Sequence, residues 1–237
     1  MDDSLLGLLR FGPGGWGDEL LLGLRVTLLL ALATAPIGLV GGFFLALARR
    51  SDRTVFSLPA TVFTTIFKGL PELITLFIVY YGFSMLLAWV VGLFSDAYVE
   101  VSSFIAGMIA LGAVSASFAS EVFMAALGGI PKGQFEAASA LGLSRFTTMR
   151  KIVLPQLIRL ALPGLGNLWL VLLKDTALVS VIGLADIMRQ TGIAARVTRE
   201  PFYFFGVAIV LYLVLTMLSS IAIGGIDRWT KRGDVAK

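Results

Sequence analysis

Residues 202–226 read FYFFGVAIVLYLVLTMLSSIAIGGI, with no charged side chain anywhere in the run. As an α-helix it would rise about 37 Å, more than the roughly 30 Å of a bilayer's hydrocarbon core. Only a helix or a closed barrel satisfies its own backbone in that medium, and unbroken apolarity of this length reads as helix. Four other stretches qualify as spans: 20–48, 55–94, 104–130 and 160–184. The second is far too long for one crossing, and Pro71 is expected to break it, leaving 74–93 as the main span. The expected fold is therefore all-α and integral to a membrane, with five transmembrane helices.

Composition agrees. Of the 237 residues, 57% are apolar and 14% charged, and mean hydropathy is +0.91, outside the range of soluble domains. The chain has no Cys and no His, which excludes thiol nucleophiles, disulfides, imidazole triads and the usual zinc sites; no metal site is expected. The start, Met1-Asp2-Asp3, is acidic where a signal peptide would be basic. Residues 5–11 read as a short interfacial helix. Lys and Arg set the orientation: segments 49–54, 131–159 and 227–237 hold 12 of them, while 1–19, 95–103 and 185–201 hold 4. The first set is expected inside, which places the N-terminus outside and the C-terminus inside. Arg189, Arg196 and Arg199 soften that rule without reversing it. Trp89 and the run 202–205 read as the outer aromatic belt, Trp229 as part of the inner one.

The long inner loop, 131–159, reads PKGQFEAASALGLSRFTTMRKIVLPQLIR. Pro131 starts a short helix over 134–141 and Gly142 ends it in the left-handed conformation. Ser144 caps a second helix running to Val153, which Pro155 is expected to break. A solvated basic loop, a DNA-binding helix-turn-helix and a docking element all fit two helices joined at a glycine. DNA binding is disfavoured, because a reading helix tethered within five spans has nowhere to dock, and no nucleic-acid partner is expected.

The residues Glu136-Ala137-Ala138, then Gly142, then Ile152, Leu154 and Pro155 resemble the EAA loop of bacterial ABC importer permeases. KGLPEL at 68–73, IPKGQFEAA at 130–138, ALPGLGN at 161–167, LLKDTALVSVIGL at 172–184 and EPFYF at 200–204 are similar to permeases of the polar amino-acid family. The nearest likeness is to the histidine, lysine–arginine–ornithine and opine types. Glu72 departs from that pattern, which usually has Leu there. The resemblance covers roughly residues 20–226. It implies a type I ABC importer fold in the bacterial inner membrane. It also implies four kinds of partner: a second permease subunit (a copy or a homologue), two ATPase subunits that bind ATP and Mg, a periplasmic binding protein, and an amino-acid substrate. The seven EAA-loop residues would contact the ATPases. Independently, the chain has no G-x-x-x-x-G-K-[ST] loop, so any ATP must bind elsewhere, and neither a cofactor nor catalysis is expected in this chain.

The division expected is a periplasmic or interfacial N-terminal segment 1–19, a transmembrane permease domain 20–226 in contact with membrane lipid and containing the cytoplasmic coupling loop 131–159, and a cytoplasmic tail 227–237. Ionisable groups inside spans are functional candidates by default. Glu121 shares a helix with Ser117 and Ser120, and these three fit either lining of the substrate path or helix–helix packing. Glu72 follows a kink and suits either a cationic ligand or the dipole at the start of its helix. Asp175 has Lys174 beside it, and Asn167 is expected to pair across helices. Arg25 and Lys68 are expected to reach toward a polar layer. An ion-coupled secondary transporter, with Glu121 and Asp175 carrying protons, is the alternative. Against it stand the docking loop and the lack of an inverted repeat. A membrane enzyme would need a nucleophile motif such as G-x-S-x-G, which is absent.

Overall fold

The computed structural model describes residues 5–93 and 101–231. The acidic start 1–3, loop positions 95–100 and tail positions 232–237 lie outside them. A 3-10 turn over Leu5–Leu9 leads into α1, Gly17–Arg49, followed by α2, Thr54–Gly69, and α3, Glu72–Gly92. The break expected at Pro71 is present: Leu70 is extended, with φ −89° and ψ 140°, as the residue before a proline prefers. Next come α4, Ser103–Gly128, α5, Lys132–Ala140, and α6, Arg145–Thr148. A π turn over Met149–Val153 joins α6 to α7, Leu154–Asp175, which a 3-10 turn extends over Thr176–Ile182. The described part ends with α8, Ile187–Thr198, and α9, Pro201–Lys231. Five helical runs are long and apolar enough to cross a membrane, as expected.

α4 lies at the centre. More than half of its span is buried, against about a tenth for α3 and α9, so those two leave most of their surface to lipid or to other chains. α1 packs along α4 more extensively than any other pair does. The cause is a ridge of small residues, Ala31, Thr34, Gly38, Gly42 and Ala46, all buried. A Cβ on Gly42 would come within 2.5 Å of the Ala119 Cβ and 2.9 Å of the Ala116 carbonyl oxygen. Without a hydrophobic drive between helices in lipid, such close backbone approach is what holds them. The near-regular four-residue spacing of this ridge is already visible in the sequence.

Two expectations change. Pro155 does not break the second loop helix: α6, the π turn, α7 and the 3-10 turn form one helical run from Arg145 to Ile182. The Leu154 N–H bonds back five residues to the Met149 carbonyl. That wider turn shifts the register just where the proline ring and its missing N–H would disrupt an α-helix. Segment 185–201 is also more than a loop, since α8 buries Ile187, Thr191, Ala194 and Ala195 and exposes Arg189 and Arg196. The 3-10 turn at the start packs Leu8 and Leu9 against Phe204 and its neighbours.

Candidate functional site

At one end of the bundle the chain makes the turn singled out above. α5 closes through paired bonds, from the Leu143 N–H to the Ala138 carbonyl and from the Gly142 N–H to the Ser139 carbonyl, each 3.0 Å. Gly142 has φ +69°, which glycine adopts without the clash a Cβ brings. Ser144 Oγ then accepts the Thr147 N–H at 3.2 Å and caps α6.

The seven loop residues divide by direction. Glu136, Ala137, Gly142 and Pro155 are exposed, Ala138 is buried, and Ile152 and Leu154 are half-buried. Phe135, Met149, Val153 and Leu154 pack against the feet of α1 and α4. The Arg50 guanidinium lies 6.0 Å from the centre of the Phe135 ring, a cation–π contact between α5 and the end of α1. Between α5 and α6 runs a groove of about 330 Å³, bounded by Phe135, Ser139, Leu143, Arg145 and Met149. Leu141 and Phe146 stand 77% and 74% exposed beside it. Both lie beyond the apolar stretches of the spans, where large bare hydrophobic side chains mark a surface for another protein.

One layer inward, three helices meet at a carboxylate. Glu121 Oε1 accepts from Arg49 Nη1 at 2.9 Å and from Lys68 Nζ, tying α4 to the ends of α1 and α2. The same Arg49 nitrogen donates to Ser120 Oγ at 3.0 Å. Ser120 Oγ and Ser117 Oγ donate to the carbonyls of Ser117 and Ala113, so each serine hydroxyl is satisfied within its own helix. Glu121 is therefore not the isolated carboxylate the sequence suggests, and Lys68 does not reach alone to a polar layer. Their separation along the chain, 53 and 72 residues from Glu121, hides the cluster from any local reading.

The other candidates lie elsewhere. Glu72 is half-buried in the first turn of α3, and Asp175 is half-buried at the end of α7. The two are near enough for their charges to act on each other. Lys174 points to an exposed position beside Asp175. Asn167 is exposed on α7 rather than packed between helices.

The opposite end holds a carboxylate the sequence reading missed. Asp186 is fully buried. Its Oδ1 accepts the Arg189 N–H at 2.9 Å and caps α8, while Oδ2 has no hydrogen-bond partner among the described residues. Burial raises its pKa from 3.8 to about 6, and the backbone N–H bonds oppose that only in part.

Comparison with known proteins then decides the class. Residues 38–232 match the family described as binding-protein-dependent transport system inner membrane component. The chain belongs to that family. Among its relatives in the family is the nopaline transport system permease protein of Agrobacterium fabrum, 38% identical over 96% of this chain and 98% of that protein. The histidine/lysine/arginine/ornithine transport system permease protein of Escherichia coli is 36% identical over 87% of this chain and 90% of that one. A solved amino acid ABC transporter structure superposes with a TM-score of 0.80 at 31% identity, covering 96% of this chain and 99% of that one. The five-span reading and the family resemblance both hold, and the protein is a multi-pass membrane permease.

Proposed function

We propose that this chain is the transmembrane subunit of a bacterial inner-membrane ATP-binding-cassette importer for basic amino acids or opines. Its partners would be a second permease subunit, a periplasmic binding protein, and two ATPase subunits that bind ATP and Mg. The observation carrying this reading is the exposed α5–Gly142–α6 turn with bare Leu141 and Phe146 at its groove. Glu136, Ala137 and Gly142 would face the ATPases. Ala138 and Leu154, which face inward, would hold the turn to the bundle, and Ile152 and Pro155 would pass the movement on along the helical run through α7. The α5 end would lie in the cytoplasm, with the N-terminus outside and the C-terminus inside, as the Lys and Arg distribution favours.

The test is Gly142→Asp. No atom lies within 4 Å of a Cβ placed there, so the change strains the backbone by about 1 kcal/mol or more without clashing. The expected result is normal insertion, with ATPase association or uptake lost. Normal uptake would reduce the turn to a solvated connection.

For the substrate, Glu72 and Asp175 supply the charge selection. Glu121 already has two cations, so Glu121, Ser117 and Ser120 would shape the path rather than charge it. Asn167, on an exposed flank, would face the second subunit. A carboxylate pair shielded from bulk water favours a cationic ligand. Glu72→Gln should lower uptake of arginine more than of glutamine when the binding protein is saturated. Equal losses would assign Glu72 to structure.

A further inference from the structure

Arginine is scarce at the α8 end of the molecule, yet three arginines lie between residues 189 and 199, and the coupling reading uses none of them. Two come together. Arg196 and Arg199 border a cavity of about 570 Å³ with Gly192, Ala195, Pro201 and Phe205. The cavity sits where α8 ends and α9 begins. Arg199 shapes that corner: it has φ +62°, the one positive value on a non-glycine among the described residues. This conformation is uncommon for such a side chain, and it turns the chain sharply enough to set the two arginines on one cavity.

Their charge is uncompensated. Among the described residues neither guanidinium has a salt bridge, and both residues are exposed. Arg196 Nε donates to the Gly192 carbonyl at 3.1 Å, which uses one of its five donors. The adjacent carboxylate, Glu200, lines the neighbouring cavity with Leu9 and Tyr203 instead.

What lies below the charge identifies the occupant. Phe202, Phe205, Ile209, Leu213, Met217 and Ile221 follow at helical spacing down one side of α9, exposed by 95, 42, 61, 55, 63 and 66%. That stripe is about 28 Å long, so its upper half covers the roughly 15 Å of one leaflet, the depth that a single lipid's acyl chains reach. An anionic group over a long apolar tail is the chemistry of a phospholipid. An acidic protein surface would meet the guanidiniums but would leave the stripe bare. We propose that Arg196 and Arg199 bind the phosphate headgroup of an anionic phospholipid whose acyl chain lies along the exposed face of α9. Arginine suits this role because its planar fork matches phosphate oxygens in pairs.

The test titrates the full chain, purified in detergent with its co-expressed partners, with phosphatidylglycerol and with phosphatidylcholine of the same acyl chains. Bound lipid is read by native mass spectrometry. The native chain should hold phosphatidylglycerol at least tenfold more tightly. Arg196→Gln with Arg199→Gln should weaken it by roughly 10- to 30-fold, leaving phosphatidylcholine unchanged. Arg189→Gln, outside the cavity, should change neither. Phe205→Ala should weaken both lipids alike. Raising salt should loosen phosphatidylglycerol alone on the native chain, a readout that survives even if the double variant fails to insert. Equal affinity for the two lipids, salt-insensitive phosphatidylglycerol binding, or undiminished binding in the double Gln variant would each overturn the site. So would a double Gln variant that keeps its lipid and loses only its response to the binding protein.

Discussion

The same local device is built at both ends of this permease and set in opposite surroundings. At the α5 end a helix closes at Gly142, φ +69°, and Ser144 caps the next helix two residues on. At the α8 end the 3-10 turn closes at Gly183, φ +101°, with the Leu184 N–H on the Val179 carbonyl, and Asp186 caps α8 three residues on. Backbone chemistry is shared, but surroundings are not. The first turn stands in the open, with a neutral cap and bare hydrophobic side chains around it. The second is pressed against α1, where the Ile187 N–H reaches Thr27 Oγ1 at 3.3 Å, and its cap is a buried carboxylate. Local sequence thus specifies a turn, and the packing around it decides whether that turn stands bare or locks a helix.

The largest expected consequence concerns Asp186. Its folded pKa of about 6 exceeds the unfolded value near 3.9. Between those pH values the folded state keeps a proton the unfolded state has lost. Stability from this group is therefore fully present below about pH 4 and declines by a few kcal/mol as pH rises through 6. Asp186→Asn retains a capping oxygen, so it should flatten that slope and raise the unfolding midpoint at pH 7. Midpoints from pH 4 to 8 in detergent would test it; parallel curves for the two proteins would show that another group titrates.

Glu121 sharpens the contrast, since two cations bond it directly, where Asp186 is bonded by backbone N–H groups and feels the Arg189 charge only at a distance. Glu121→Gln leaves Arg49 and Lys68 facing each other. Both ion pairs are partly exposed, with side-chain accessibilities between 17% and 42%, so the expected loss is about 1–2 kcal/mol. Adding Lys68→Gln should recover part of it in a double-mutant cycle. Purely additive losses would mean the three groups do not act as a unit.

A smaller effect separates the two turns most directly. Ala at Gly142 or at Gly183 should cost about 1 kcal/mol each, because both need a left-handed backbone and neither Cβ would meet an atom closer than 3.8 Å. Stability should fall equally, while uptake should fall only with Gly142→Ala. Equal loss of uptake would mean that both turns move in transport. Smallest of all, Ser144→Ala should cost about 0.5–1 kcal/mol. Hydrogen exchange should show the loss confined to 145–148, since that cap lies in solvent.

Much of this molecule was legible in its sequence because the controlling physics is local. A helix must match a bilayer in length, so the five apolar stretches could be counted. A proline forces the residue before it out of the helix, so the break at Leu70–Pro71 could be placed. Glycine after a short helix and serine before the next announced the turn between α5 and α6. Pro155 shows where local rules stop, because its cost depends on whether the preceding turn can widen. The segment that became α8 was passed over because polar and apolar residues alternate too briefly there to outweigh its arginines.

What tertiary structure alone decided is how the charges are arranged. Glu121 looks isolated until α1 and α2 bring Arg49 and Lys68 to it. Asp186 looks like an ordinary loop aspartate until α1 covers it. Arg196 and Arg199 look like a weak exception to a topology rule until the corner at Arg199 sets them on one cavity above a bare apolar stripe. The free energy of a charge depends on the solvent and the partners around it. For Glu121 and Asp186 those are supplied by residues tens to more than a hundred positions away, which only the folded chain brings together.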